Sequence, residues 1–149
     1  MNLLAFLVWM QVARTEQRLF VIVSASQTLT DVSTTDLRGI YLGQVTRWPS
    51  RHAMMPVIPS TKTRSGEAFM RRLMRMAELD YVQHWIGVVF RGQAASAPLV
   101  AGSAEQAARF VAAHPDAIAI VGEVPAEKNV RVLTVDGKLP DAVDYPLRW

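Results

Sequence analysis

The stretch that decides the fold is Thr61-Lys62-Thr63-Arg64-Ser65-Gly66-Glu67-Ala68-Phe69, which follows the short apolar segment Met54 to Ile58. The apolar segment has the composition of a strand, and the residues from Gly66 onward have helical spacing. A strand, a hydroxyl-rich loop and a helix N-terminus gather free backbone N–H groups and the positive end of a helix dipole at one place. The stretch therefore predicts a binding site for a small anion.

The composition indicates one globular domain. The chain has 149 residues, of which 50% are hydrophobic and 19% charged, so it can bury a core of its own. The net charge of +3 suits an anionic ligand, but the basic residues are scattered and fall far short of a nucleic-acid footprint. The absence of cysteine from the sequence excludes disulfides, thiolate metal sites and cysteine nucleophiles.

The N-terminal segment has two interpretations. Leu3 to Met10 (LLAFLVWM) has the length of the hydrophobic region of a signal peptide, but no Lys or Arg precedes it. It is either part of an export signal or an apolar strand or helix that packs on the domain. No transmembrane segment is predicted, since no run approaches the roughly 18 to 20 apolar residues that a spanning helix needs. We treat residues 1–16 as a separate segment and residues 17–149 as a single domain.

Strand and helix patterns alternate along the rest of the chain. The apolar runs that predict strands are Leu19 to Val23, Met54 to Ile58, Ala117 to Val121 and Val130 to Val135. Helices are predicted after the cap residues Ser33 and Ser103, from Gly66 to Met76, and from Val82 to Phe90. This alternation is typical of an α/β domain with a small mixed or mostly parallel sheet flanked by helices.

The clearest helical period lies in the segment that Gly92 ends. Its apolar side chains, spaced i, i+3, i+4, i+7 and i+8, are Val82, Trp85, Ile86, Val89 and Phe90. We expect all of them to face the core. In the helix that begins at Gly66, the side chains expected to point inward are Phe69, Met70, Leu73 and Met74.

No constellation of residues predicts catalysis. The histidines at positions 52, 84 and 114 are far apart, and none has the spacing of a metal-ligand pair. The sequence contains no nucleophile elbow, Walker loop, zinc-protease motif or dinucleotide fingerprint. We therefore expect a binding protein without a metal or a cofactor, and not an enzyme.

Two loops rich in Ser and Thr follow predicted strands, namely Ser24 to Thr28 and Ser60 to Ser65. In open α/β sheets, ligands bind outside the carboxyl ends of the strands, where hydroxyl and amide donors suit an oxyanion. Ser26 joins the candidate site on this ground. The alternative is that these residues are ordinary turn and cap residues.

Five short motifs, in order along the chain, resemble segments of the phosphate-binding proteins of ABC transporters, in the type 2 periplasmic-binding-protein class. They are Leu37 to Trp48 (LRGIYLGQVTRW), Arg64 to Phe69 (RSGEAF), His84 to Gly92 (HWIGVVFRG), Val111 to Val121 (VAAHPDAIAIV) and Tyr145 to Leu147 (YPL). This resemblance covers the chain from Leu19 to Leu147. It implies a single lobe of that fold, whereas full-length relatives have two lobes and clamp phosphate between them.

The resemblance also implies a ligand site, and this chain departs from the family pattern there. In the transporter proteins, an Arg four residues before the Ser of a Ser-Gly-Thr helix start contacts the ligand; that position is Thr61 here. The Thr of the motif is replaced by Glu67, which satisfies the helix dipole and repels a dianion. Tight phosphate binding is therefore not expected. The candidate ligand-binding residues are Ser65, Gly66, Arg64, Thr61, Glu67 and Ser26.

Two functions follow from these patterns. The first is a small exported, periplasmic solute-binding domain that binds phosphate or another small oxyanion weakly. The second is a lobe that has lost its ligand and serves as a protein-interaction or sensory module. Its partner, or a second copy of the chain, would then dock on the open face where a second lobe would close.

Overall fold

A mixed five-stranded sheet forms the centre of the computed structural model, which describes residues 17–149. The predicted segment Leu3 to Met10 lies outside the described residues. In chain order the elements are β1 (Phe20–Ser24), β2 (Asp31–Val32), α1 (Thr34–Tyr41), β3 (Met55–Pro59), α2 (Arg64–Ala68), α3 (Glu78–Phe90), β4 (Leu99–Ala101), α4 (Ala104–Ala113), β5 (Ala117–Val121), β6 (Val130–Val132) and β7 (Thr134–Val135). A π-helical turn, Phe69–Met74, continues α2.

The direction of the strands confirms the predicted class. The order across the sheet is β4-β3-β5-β1-β6, while β2 and β7 form a separate parallel pair. Strand β3 is parallel to both β4 and β5, whereas β1 is antiparallel to its neighbours β5 and β6. Four strands therefore run one way and β1 runs against them. The carboxyl end of β1 consequently lies at the opposite edge of the sheet from the carboxyl ends of β3 and β5.

Apolar side chains fill both faces of the sheet, which explains the continuous hydrophobic runs of β1 and β5. On one face, Val21 and Ile120 belong to a core with the aromatic side chains of α1, α3 and the π-helical turn. On the other face, Ile22 and Ala119 pack with the alanines of α4. The sheet is therefore the middle layer of three.

The helix predicted from Gly66 begins two residues earlier and has two parts. Arg64–Ala68 is α-helical, and the following π-helical turn ends at Arg75, whose φ of 54° is left-handed. The inward side chains are those that the sequence predicts, since Phe69, Met70, Leu73 and Met74 are all buried. A left-handed residue ends the helical hydrogen-bond pattern, so the run stops just before Met76.

Helix α3 is rotated relative to the prediction, which is wrong for four of its five expected core residues. Trp85 is buried, but Val82 is 47% exposed, Ile86 64% and Phe90 90%, and Val89 also lies at the surface. The buried face instead consists of Tyr81, Trp85 and Val88.

Hydrogen bonds to the end of α1 account for this rotation. The Tyr81 hydroxyl donates to the Tyr41 carbonyl at 2.7 Å, and the Trp85 indole N–H donates to the same oxygen at 3.0 Å. The His84 Nε2 lies 2.7 Å from the Leu42 carbonyl oxygen. The last carbonyls of a helix lack partners within the helix and are costly to bury unsatisfied. The hydrogen bonds to these carbonyls orient α3 so that its longer apolar stripe, which contains Ile86 and Phe90, faces solvent.

Candidate functional site

Thr63 forms the N-cap of α2 and organises the start of the helix. Its Oγ1 accepts the Gly66 N–H at 3.1 Å, donates to the Ser60 carbonyl at 2.6 Å and lies 3.1 Å from Ser65 Oγ. The Glu67 N–H makes the first helical hydrogen bond, to the Thr63 carbonyl at 3.1 Å. The backbone amides of the candidate residues Gly66 and Glu67 are therefore already used inside the helix.

Two other amides remain for a ligand. The backbone N–H groups of Arg64 and Ser65, the first two of α2, donate to no other group within residues 17–149. The first N–H groups of a helix have no intrahelical acceptor and are ordinarily satisfied by a cap, by water or by a ligand. The free donors at this terminus thus lie two residues earlier than Gly66 and Glu67, since the helix begins at Arg64.

A pocket of about 560 Å³ lies beside this terminus. Its walls come from the start of β1, the first turns of α2 and α4, the loop after β5, and the C-terminal residue: Gln17, Arg18, Phe20, Thr63, Arg64, Ser65, Ser103, Ala104, Gly122, Glu123, Val124 and Trp149. We call it the edge pocket. The parallel arrangement of β3 and β5 brings these segments to one edge of the sheet.

A second helix N-terminus opens into the edge pocket. Ser103 is the N-cap of α4, and its Oγ accepts the Gln106 N–H at 3.1 Å. Each helix N-terminus carries the equivalent of roughly half a positive charge. The positive ends of α2 and α4 therefore act on the same volume, together with the guanidinium groups of Arg18 and Arg64. Glu123 is the acidic side chain among its lining residues.

Gly122 fixes the position of Ser65 at the floor of the edge pocket. A Cβ atom at position 122 would lie 2.7 Å from the Ser65 Cβ and 3.2 Å from its Oγ. Such distances lie well inside van der Waals contact, so only glycine allows Ser65 to sit against the end of β5. The Ser65 hydroxyl lies 3.1 Å from Thr63 Oγ1, beside the edge pocket.

Comparisons by sequence found nothing, because no family model and no curated protein match the chain. Solved structures do match. An ABC-type phosphate transport receptor from Vibrio cholerae has a TM-score of 0.65 at 18% identity, over 84% of this chain and 48% of that protein. A putative phosphate ABC transporter substrate-binding protein with bound phosphate, from Clostridium perfringens, has a TM-score of 0.71 at 14% identity, over 89% and 53% of the two chains. The fold is similar to one half of a phosphate-transport substrate-binding protein.

PstS from Borrelia burgdorferi is similar in the same way, with a TM-score of 0.68 at 14% identity over 89% of this chain and 55% of that one. The chain thus spans about half the length of the proteins that it matches. This confirms the predicted fold, a single lobe of the type 2 periplasmic-binding-protein class. At these identities the likeness establishes the fold alone.

The predicted ligand residues divide between the two sides of α2. Arg64 and Ser65 line the edge pocket, whereas Gly66 is buried under the cap. Thr61 and Glu67 line a separate depression, in which the Thr61 hydroxyl donates to Glu78 Oε1 at 2.7 Å. Glu67 therefore does not line the edge pocket.

Ser26 lies at the other edge of the sheet. It follows β1, whose carboxyl end points away from those of β3 and β5. The five residues of β1 separate the two edges by on the order of 13 Å. The Ser26 hydroxyl instead hydrogen-bonds the Ser24 hydroxyl at 2.8 Å. Ser26 and Ser65 consequently cannot share one small ligand.

Sequence reasoning missed Thr63 and Gly122 and did not connect Ser103 with this site. The sequence does carry a signal for Thr63, because a Thr directly before a helical run is a preferred N-cap. The contribution of Ser103 follows only from the order of the strands. No local pattern marks Gly122, whose role depends on contact with Ser65.

Residues 17–149 contain neither a cluster of three metal-ligating side chains nor a helix that could cross a membrane. No group of three His, Cys, Asp or Glu side chains in this range could hold a metal ion. The surface contact between His52 Nδ1 and Asp116 Oδ1, at 3.4 Å, lacks a third such partner. No helix in the same range is long and apolar enough to cross a membrane.

Proposed function

We propose that this chain is a solute-binding domain that binds phosphate or another small oxyanion in the edge pocket. The observation that carries the proposal is the convergence of two helix N-termini on one pocket that also contains Arg64 and Ser65. The structural neighbours are phosphate transport receptors and substrate-binding proteins, which agrees with binding rather than catalysis.

The chemistry of the edge pocket suits a tetrahedral oxyanion. Such an anion offers several acceptor oxygens, and the pocket offers the N–H groups of Arg64 and Ser65, the Ser65 hydroxyl and the first amides of α4. The Arg64 guanidinium adds a planar pair of donors that matches two oxygens. Backbone donors at helix ends need no reorganisation on binding, so they provide geometry as well as charge.

We expect weak binding, because the edge pocket is open and Glu123 lies on its rim. This chain matches only about half of each structural neighbour, one of which contains bound phosphate. Surface ion pairs contribute little and are screened by salt. The domain acts outside the cytoplasm in this proposal, since its neighbours are transport proteins and Leu3 to Met10 has the length of a signal-peptide core.

Replacing Arg64 tests the site directly. Arg64→Gln should weaken phosphate binding about tenfold or more, because one charge-assisted contact is worth roughly 1.5 to 3 kcal/mol. Isothermal titration calorimetry and thermal unfolding of the full chain with phosphate, sulfate and acetate would measure it. Arg71→Gln is the matched control, since Arg71 lines the depression on the other side of the helix.

The result would contradict the proposal if Arg71→Gln caused the larger loss. The proposal would also be wrong if no oxyanion at millimolar concentration raised the unfolding temperature, since a ligand above its dissociation constant must stabilise the folded state. Ser26→Ala should leave binding unchanged, because Ser26 is at the other edge of the sheet.

Removing the rim carboxylate should have the opposite effect. Glu123→Gln should strengthen oxyanion binding roughly three- to tenfold at low ionic strength, because it removes a like charge from the edge pocket. Titration calorimetry at two salt concentrations would show a gain that shrinks as salt rises. Glu67→Gln provides the comparison, since Glu67 lies in the other depression. A larger gain from Glu67→Gln would place the ligand on that side instead.

A further inference from the structure

The outward stripe of α3 forms one wall of an apolar groove of about 550 Å³, which we call the α3–β4 groove. Val82, Ile86, Val89 and Phe90 of α3 line it, and Val100 of the edge strand β4 lies across from them. All five side chains are exposed. Below them the groove reaches the buried side chains of α3 and the π-helical turn, so its floor is apolar as well.

The apolar area of this surface lies at the upper end of what an isolated domain ordinarily leaves in water. Together with Leu79 on the same helix, the exposed side chains present on the order of 600 Å² of apolar surface, the upper end for a monomer. A standard interface buries about 800 Å² per partner, of which roughly two thirds is apolar in homodimers. The apolar area thus matches one side of a homodimer interface.

The charges of the α3–β4 groove indicate what kind of partner fits. Glu78 is the charged side chain among its lining residues, and its carboxylate already accepts a hydrogen bond from Thr61. Nothing in the lining therefore selects a basic or an acidic peptide. In a two-fold interface each patch meets its own copy, so a charged centre would repel itself and an uncharged centre does not.

We propose that the α3–β4 groove is the interface of a homodimer, with α3 of a second copy packed against it. Strand β4 is at the edge of the sheet, with β3 on one side only, so the same face also offers an unpaired strand edge. A two-fold axis beside β4 brings both features against their copies. This interface differs from the edge pocket, so it stands whether or not the domain binds an anion.

The oligomeric state of the full chain tests the proposal. Sedimentation analysis should show a dimer at tens of micromolar. Ile86→Asp should raise the dissociation constant about a hundredfold or more, because it buries an unpaired carboxylate at the centre of the apolar stripe. Arg109→Asp is the control and should leave the dimer intact, since Arg109 is exposed on α4, which packs on the opposite face of the sheet and does not line the groove. Circular dichroism checks that both variants fold.

Cross-linking provides a second readout, because the sequence contains no cysteine. Oxidised Ile86→Cys should form a disulfide-linked dimer in high yield, and Arg109→Cys, on the opposite face of the sheet, should not. A chain that stays monomeric at hundreds of micromolar overturns the proposal. The occupant of the groove would then be the segment Leu3 to Met10 or a different protein. A dimer that persists in Ile86→Asp also overturns it, because its interface must lie elsewhere.

Discussion

Gly66→Ala should destabilise the domain by about 3 kcal/mol or more, the largest effect that we expect of a single methyl group in this chain. A Cβ at this position would lie 1.9 Å from the Ser60 carbonyl oxygen and 2.7 Å from the Thr61 Cα. Both are backbone atoms, so no side-chain rotation relieves the overlap. The start of α2 would have to move away from the end of β3, which would also break the Thr63 cap. Urea unfolding of both proteins measures the difference.

Gly87→Ala is the matched control and should have the opposite sign. Its Cβ would approach the Arg91 Nη1 to 2.9 Å, but that atom ends a flexible side chain that can turn away. Alanine in a helix interior is favoured over glycine by roughly 0.5 to 1 kcal/mol, so this variant should be slightly more stable. A loss below about 1 kcal/mol in Gly66→Ala would mean that the helix and strand do not approach as closely as described.

Raising the pH above 10 should unfold the domain steeply. Burial raises the pKa of Tyr41, Tyr81 and Tyr145 above the ordinary value of 10.0, and the proximity of Tyr81 raises the pKa of Tyr41 further. Each hydroxyl donates to a backbone carbonyl, which a phenolate could not do. These are the three tyrosines of the sequence.

The sign follows from the proton balance. Below pH 10 both states hold the tyrosine protons, so stability does not depend on these groups. Between the unfolded and the folded pKa, the unfolded state releases protons that the folded state retains, so stability falls as the pH rises. The slope is about 1.4 kcal/mol per pH unit for each tyrosine, or roughly 4 kcal/mol for three.

Phenolate absorbance and near-ultraviolet circular dichroism, followed together from pH 9 to 12, would check this expectation. Ionisation of the tyrosines should coincide with loss of tertiary structure. Tyr145→Phe should reduce the slope by about a third, because one titrating group is gone. Tyrosines that ionise near pH 10 in a protein that stays folded would contradict the burial described here.

Helix caps and buried strands were predicted correctly, because they depend on residues that are close together in the sequence. The Ser33 cap of α1 is confirmed by the hydrogen bond from the Asp36 N–H to its hydroxyl, at 3.0 Å. The prediction of a buried strand at β5 is confirmed, since all five of its residues are buried. A continuous run of apolar residues is stable only where both faces of the strand are covered. Gly43, with a φ of 78°, follows α1 where a C-terminal cap was expected.

Features that depend on distant parts of the chain could not be predicted. An apolar run has the same composition in a parallel and in an antiparallel strand. The sequence therefore could not predict that β1 is antiparallel, or that Ser26 lies at the other edge of the sheet. The rotation of α3 depends on the carbonyls of Tyr41 and Leu42, about 40 residues away. The edge pocket likewise requires the ends of β3 and β5 to be adjacent, which local patterns do not specify.

The placement of β1 also affects how the domain folds as it is synthesised. Ile22 pairs with Ala119 on one side and with Val132 on the other, so β1 leaves the ribosome roughly 100 residues before either neighbour exists. Until β5 and β6 have been synthesised, the apolar strand β1 has no strand to pair with. Strand pairings of such long sequence separation also form slowly. A truncated or stalled product would therefore expose this strand, and we expect it to aggregate or to need a chaperone.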